Sequence, residues 1–345
     1  MTRRTRYFLI GSVAFLVIGL AAGLVAYYGG IPGAFAQNAG PQELRYVPKD
    51  AAVVAFANVQ DLMHSQFRQQ VKALEPMDHE RGRDELRDAT GIDIERDIDY
   101  VVAYMTADAA QGGKKLGAVV ANGRFDVNRL QGFIREKGGI EREYRGKKLF
   151  MAPRHVQQHE GDSVTGPRDN VRHQAPDMAV AFLSNSLVAF GTEEALRKTI
   201  DLEHGEVNVT ANADLMRMIQ GVDRGNAWAV GRFDMLTANA RLPEQVASQI
   251  PPITWFSASG HVNGGVSATL NVEAKDQEAA DNLRQVVQGF MALAKLQAGS
   301  NQNKPEMAAM LQSIQVSGDQ KTVSVSFTVP SQALEMFKEH GPHRK

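Results

Sequence analysis

Residues Ile253–Ala274 read ITWFSASGHVNGGVSATLNVEA, two β-rich runs around a turn at Asn263-Gly264-Gly265. Val, Ile, Thr and aromatic residues favour strands, and an Asn-Gly pair between such runs signals a hairpin. The reading is an antiparallel pair, Ile253–Val262 and Val266–Ala274. Asp276–Ala298 follows as the strongest helix in the chain. Ala280, Leu283, Val287, Phe290, Met291 and Ala294 recur at spacings of three and four, which predicts a core-facing stripe. Ile314–Ser317 and Val323–Val329 then form two strands joined at Ser317-Gly318-Asp319. In VSVSFTV the period of two buries one face and wets the other. Hairpin, helix and further hairpin give an α+β fold with mostly antiparallel sheets.

The same theme precedes it. Tyr100–Thr106 and Lys115–Ala121 are strands around Gln111-Gly112-Gly113, and Asp126–Lys137 is a helix stopped by Gly138-Gly139. Ala52–Ala57 (AVVAFA) is a strand. Asn58 leads into a helix with Val59, Leu62, Phe67, Val71 and Leu74 near one face. A charged helix over Asp84–Ala89 stops at Gly91. Lys147–Ala152 is a strand, Met178–Ser184 and Leu187–Phe190 a hairpin. Thr192 caps a helix reaching Leu202. Ala227–Gly231 (AWAVG) is a strand, Phe233–Ala240 begins a helix, and Ser331 caps a final one.

Laid over each other, Ala52–Met63 matches Ala227–Leu236 in type, and Tyr100–Lys137 matches Ile253–Leu296. The expectation is two tandem related α+β units, 46–220 and 221–345, which either share a face or form a pseudo-symmetric cleft; such a cleft would be the default binding site. Gly-Arg-Phe-Asp occurs twice, at Gly123–Asp126 and Gly231–Asp234. Each Asp could position a ligand; we read both as helix N-caps, with Phe125 and Phe233 as staples beneath them.

The 345 residues carry 38 Lys+Arg, 39 Asp+Glu and no cysteine. Without cysteine there is no disulfide, thiol nucleophile, Cys-ligated zinc or iron–sulfur cluster. A net charge of −1 gives no electrostatic ground for a nucleic-acid partner.

Tyr7–Tyr28 (YFLIGSVAFLVIGLAAGLVAYY) is uncharged. As a helix it is roughly 33 Å long, enough for a hydrocarbon core of about 30 Å. Arg3, Arg4 and Arg6 precede it, and no charge follows until Glu43, so the N-terminus is expected in the cytoplasm and the body outside. The expected organisation is a cytoplasmic tip 1–6, a transmembrane helix 7–28 and a linker 29–45 before the two units. The location is the bacterial inner membrane as a single-pass protein, with the lipid bilayer as partner through 7–28. The alternative is cleavage after Ala36, at Ala34-Phe35-Ala36, and release to the periplasm.

Val47-Pro48-Lys49-Asp50-Ala51, Thr90-Gly91-Ile92-Asp93, Asp97-Ile98-Asp99 and the two Gly-Arg-Phe-Asp elements give a resemblance. With its anchor, the chain resembles a group of uncharacterised bacterial membrane-anchored envelope proteins. The resemblance implies an envelope location and supplies no catalytic residue.

No phosphate loop, nucleophile elbow, S-x-x-K pair or HExxH is present. Pro153–Asp177 holds three His, three Arg and three Pro and reads as an exposed loop. Its His155, His159 and His173 are the metal-ligand candidates. His155 and His159 are four apart, but Pro153, Gly161, Gly166 and Pro167 oppose the rigid helix that would hold them. Asp93, Glu95, Asp97 and Asp99 alternate in a calcium-like way. The mid-loop Gly is missing and Tyr104 stands where a bidentate Glu belongs, so we read a helix-to-strand connection. Trp228 and Trp255 read as core residues of strands. No catalytic residue, cofactor or metal is expected. The expected role is a tethered extracytoplasmic binding or scaffolding protein with an envelope protein partner. The rivals are a hydrolase with dispersed acidic and His residues between the repeats, or a carrier of an apolar ligand.

Overall fold

The structure is a computed structural model and describes residues 41–65, 87–88, 90–108, 114–151, 178–222, 225–233, 251–262, 265–299 and 312–330. The span 7–28, the loop 153–177 with its three histidines, the helices expected at 84–89 and after Phe233 and Ser331, and most of the turns at 111–113 and 263–265 lie outside the described residues.

In chain order the strands are β1 Ala51–Ala57, β2 Ile98–Asp108, β3 Lys114–Gly123, β4 Ile140–Tyr144, β5 Lys147–Met151, β6 Met178–Ser184 and β7 Leu187–Thr192. They continue with β8 Ala227–Arg232, β9 Ile253–Val262, β10 Gly265–Ala274, β11 Gln315–Ser317 and β12 Thr322–Pro330. The helices are α1 Pro41–Leu44, α2 Val59–Met63, α3 Ile94–Asp97, α4 Val127–Glu136, α5 Glu193–Leu202, α6 Ala213–Gly221 and α7 Gln277–Gly299.

All these strands join one sheet, in the order β11-β12-β10-β9-β8-β1-β2-β3-β7-β6-β5-β4. Every pairing in it is antiparallel. The seam between the two halves is β1 against β8, from Val53↔Gly231 to Ala57↔Ala227. Outward from that seam the order is β1-β2-β3-β7-β6-β5-β4 on one side and β8-β9-β10-β12-β11 on the other, so β5 and β4 have no counterpart. The backbone bonding runs straight through from one half to the other. AVVAFA sits at the seam because a central strand is covered on both faces. Six of the seven β1 residues are accordingly buried.

One face of the β1–β7 half packs under α5 and α6. Val54, Phe56, Val102, Leu116, Val120 and Ala189 meet Leu196 and Ile200 of α5 and Leu215 and Ile219 of α6. Burying a Leu or Ile side chain contributes about 1.5–3 kcal/mol. The opposite face is covered by α2 and α3 over Val59, Ile98 and Val101, by α4 over Phe150 and Phe182, and by α7 over Ala274 and Val323.

The caps behave as their chemistry demands. Asn58, Asp126 and Thr192 accept hydrogen bonds from the amides of Asp61, Arg129 and Ala195. Gly123 has a separate reason to be glycine: a Cβ there would lie 2.0 Å from the Asp97 carbonyl oxygen. Four elements are additional to the sequence reading: the short helices α1 and α3, the strand β4 and the helix α6. β4 (IEREY) is an edge strand whose charges replace the usual apolar alternation. It turns into β5 through Arg145 at φ 47° and Gly146 at φ 78°, the paired positive φ of a type I′ hairpin. α6 starts at Asn212, whose side chain accepts from the Leu215 amide.

α7 only partly matches its stripe. Ala280 and Leu283 are buried and Val287 packs beside them, but Phe290 is 39% exposed.

Candidate binding face

The face of the sheet that α5 and α6 cover in the first half changes character beyond β8. Cross-strand partners share a face, so the pairings fix what lies there. One row runs Val230, Ser257, Asn271, Ser324, Ser317. The next runs Trp228, Ser259, Thr269, Ser326, Gln315. A third holds His261, Ser267 and Thr328, and a fourth Trp255, Glu273 and Thr322. Neighbouring strands lie about 4.8 Å apart, and same-face residues along a strand about 6.8 Å, so hydroxyls and amides form a flat grid. The intervening residues, Phe256, Leu270, Val272, Val323 and Val325, point to the other face.

The grid is partly pre-organised. The Ser324 hydroxyl donates to Asn271 Oδ1 at 2.6 Å, and Asn271 Nδ2 donates to Ser257 Oγ at 3.3 Å. This relay crosses β12, β10 and β9. Thr269, Ser267 and Ser326 carry hydroxyls with no protein partner among the described residues, and all three are half-exposed. Glu273 at the margin is paired by Arg217 of α6 at 3.2 Å. Trp255 is half-buried beside that pair, packed against the main core. Trp228 is 2% exposed and stacks on Phe56 with centroids 6.0 Å apart; its indole N–H has no partner among the described residues.

The titratable groups with displaced pKa values lie elsewhere. Burial pushes the Tyr104 phenol well above its usual range, against the opposing hydrogen bond with Thr199. Its hydroxyl donates to the Ala195 carbonyl at 2.7 Å. Tyr100 is raised to about 12, chiefly by burial, with Glu43, Tyr46 and Asp99 adding and Arg45 opposing. Burial raises Asp61, while hydrogen bonds from Lys148 and Arg135 lower Glu141. Each of these four groups belongs to a helix end, a covered core or an exposed ion pair.

The acidic step is bracketed by local bonds. Asp93 Oδ1 accepts from the Glu95 amide at 3.0 Å, and Asp97 Oδ2 from the Asp93 amide at 2.8 Å. Arg124 pairs with Asp97 at 3.9 Å and with Asp99 at 3.4 Å. This is the helix-to-strand connection expected of these acids. His155, His159 and His173 lie outside the described residues. Asp126 is the expected cap; Asp234 lies outside.

Sequence reasoning registered a wet face only in VSVSFTV. Ser257/Ser259 and Ser267/Thr269/Asn271 show the same alternation, and that was the available signal. Assembling the grid also requires the register of β12 on β10 and of β10 on β9.

No family model matches the chain, and no curated protein matches it. One solved structure, described as crystal form I of TP0453, is similar at 9% identity with a TM-score of 0.43. The match covers 88% of this chain and 98% of that one. What the fold defines is an α+β protein with a large antiparallel sheet and few helices.

Proposed function

We propose that the chain is a membrane-tethered extracytoplasmic binding or scaffolding protein of the bacterial cell envelope, built of two related α+β units. The observation that carries this reading is the outer end of α7. Phe290, Leu293 and Leu296 follow each other at spacings of three and are 39%, 56% and 72% exposed. Gln285–Gly299 contains one charge, Lys295. A contiguous exposed apolar helix face favours docking to another component. The five strands nearest the β1–β8 seam on each side follow the same order, which supports the paired units. The basic tip and uncharged 7–28 run support the tether and the cytoplasmic N-terminus, with cleavage after Ala36 as the alternative.

The test has two arms. A phosphatase reporter fused after Lys345, active only outside the cytoplasm, is expected to be active; activity of a cytoplasm-only reporter at that position overturns the topology. A photo-crosslinking residue in place of Leu293, in intact cells, is expected to give discrete adducts that Leu296→Asp abolishes. Adducts unaffected by Leu296→Asp overturn the docking role of α7.

A further inference from the structure

We propose that Asn208 is the acceptor of an N-linked oligosaccharide, transferred outside the cytoplasm from a lipid diphosphate donor. This goes beyond the scaffolding reading and rests on it only for the side of the membrane on which residue 208 stands.

Asn208-Val209-Thr210 is the only Asn-x-Ser/Thr triplet in the chain, the pattern that N-linked transfer requires. Glu206, two residues ahead, adds the acid that bacterial oligosaccharyltransferases select beside the triplet, a carboxylate placed for an arginine clamp. The triplet lies between α5 and α6, where residues 203–207, Thr210 and Ala211 are all exposed. The Asn208 carboxamide is already oriented there. The Thr210 amide donates to its Oδ1 at 3.0 Å and the Thr210 hydroxyl at 2.6 Å. A backbone N–H can only donate, so the bonded atom is the carbonyl oxygen and Nδ2 turns the other way. Among the described residues Nδ2 has no hydrogen-bond partner, and it is not buried, so it meets solvent.

The same two bonds suit the reaction. They stabilise negative charge on Oδ1, where it collects as Nδ2 gives up a proton. Nδ2 attacks the anomeric carbon of the donor sugar. The bond from Nδ2 to that carbon forms, the bond from the carbon to the diphosphate oxygen breaks with its electron pair on the departing lipid diphosphate, and the proton passes to a base of the transferase. The turn spans two residues and needs no tertiary contact. It is therefore open to the emerging chain, before the amides of Val209 and Lys49 close onto the carbonyls of Val47 and Val207. In the finished fold Val209 is fully buried and pins the segment, while Nδ2 stays unspent. A glycan on Nδ2 displaces no hydrogen bond of the fold.

The experiment expresses the full chain in a bacterial strain that makes a lipid-diphosphate oligosaccharide of known mass and an oligosaccharyltransferase acting outside the cytoplasm. Intact mass is expected to rise by one oligosaccharide, on the peptide that holds Asn208. Asn208→Gln and Thr210→Val are expected to abolish the rise and Thr210→Ser to keep it. Thr210 is exposed, so its variants decide the matter if Asn208→Gln fails to fold. Glu206→Gln is expected to lower the modified fraction about tenfold, since one charge-assisted contact is lost. The glycosylated form is expected to melt no lower than the bare chain. A second arm separates site from topology: the full chain, diluted from urea into a polyoxyethylene detergent, meets the purified transferase and donor in vitro. Modification there with none in cells overturns the topology and upholds the site. Three results would overturn the proposal: no modification in either arm, modification that survives Asn208→Gln or Thr210→Val, or a glycosylated form that melts well below the bare chain.

Discussion

One face of one sheet lives two different lives. Over β1–β3 and β5–β7 it carries Val54, Val102, Leu116 and Leu149 and is roofed by α5 and α6. Over β9, β10 and β12 the same face carries Ser, Thr and Asn, and its residues are mostly half-exposed. The backbone bonding is the same antiparallel ladder throughout. What differs is the side chain at every second position. A helix docks where those positions are aliphatic, because only there does burial outweigh the cost of ordering the cover. The lesson is that topology sets where faces lie and side-chain chemistry sets what each face can hold.

The comparison can be broken by substitution. The largest effect is expected in the roofed half: Leu196→Ala, at a fully buried site in α5, costs about 3 kcal/mol in denaturant unfolding. A cost under about 1 kcal/mol would show that the roof contributes little there. Next is Val54→Thr, which places a hydroxyl at a fully buried position and costs about 1–3 kcal/mol. Its counterpart Thr269→Val, on the open half, changes stability by about 0.5 kcal/mol or less. Equal costs for the two swaps would erase the distinction drawn between the faces.

Tyr104→Phe removes a buried hydroxyl that bonds the Ala195 carbonyl and Thr199, and costs about 1–2 kcal/mol. The same residue sharpens the pH behaviour. Tyr100 and Tyr104 hold their protons more tightly folded than unfolded, so their contribution is complete below the ordinary value of 10.0 and lost as pH rises toward 12. Tyr104→Phe should therefore flatten the alkaline limb of the stability profile. An unchanged limb would remove Tyr104 from that account. Arg217→Ala, which breaks a partly exposed pair with Glu273, costs at most about 1 kcal/mol.

Much of the fold was legible because local chemistry dictated it. The β9–β10 pair and α7 follow from alternation, a Gly-rich turn and helical spacing, and Asn58, Asp126 and Thr192 cap where their side chains must. β4 was not legible, because an edge strand uses Glu141, Arg142 and Glu143 where an inner strand would use aliphatics. α6 was missed although Leu215 and Ile219 are four apart, since a nine-residue helix carries little periodic signal. The single sheet was out of reach for another reason. The β1–β8 seam is a pairing across distant sequence, and no local pattern encodes it. The hydroxyl grid inherits that difficulty: one of its strands was read as having a wet face, but rows form only once the registers of β10 on β9 and of β12 on β10 are known. For α7, the spacing predicted a stripe through Phe290, which is 39% exposed.

The seam also has a temporal meaning. Ala57 of β1 pairs with Ala227, 170 positions later. A chain made from its N-terminus can complete β1 to β7, with their roof, while the outer edge of β1 still lacks its neighbour. Domains fold in that order during synthesis, and an unpaired apolar strand edge invites association with other chains. Val53, Ala55 and Phe56 stand beside that waiting edge. The interval between completion of that roof at Gly221 and the arrival of Ala227–Gly231 is therefore the period in which this edge is vulnerable.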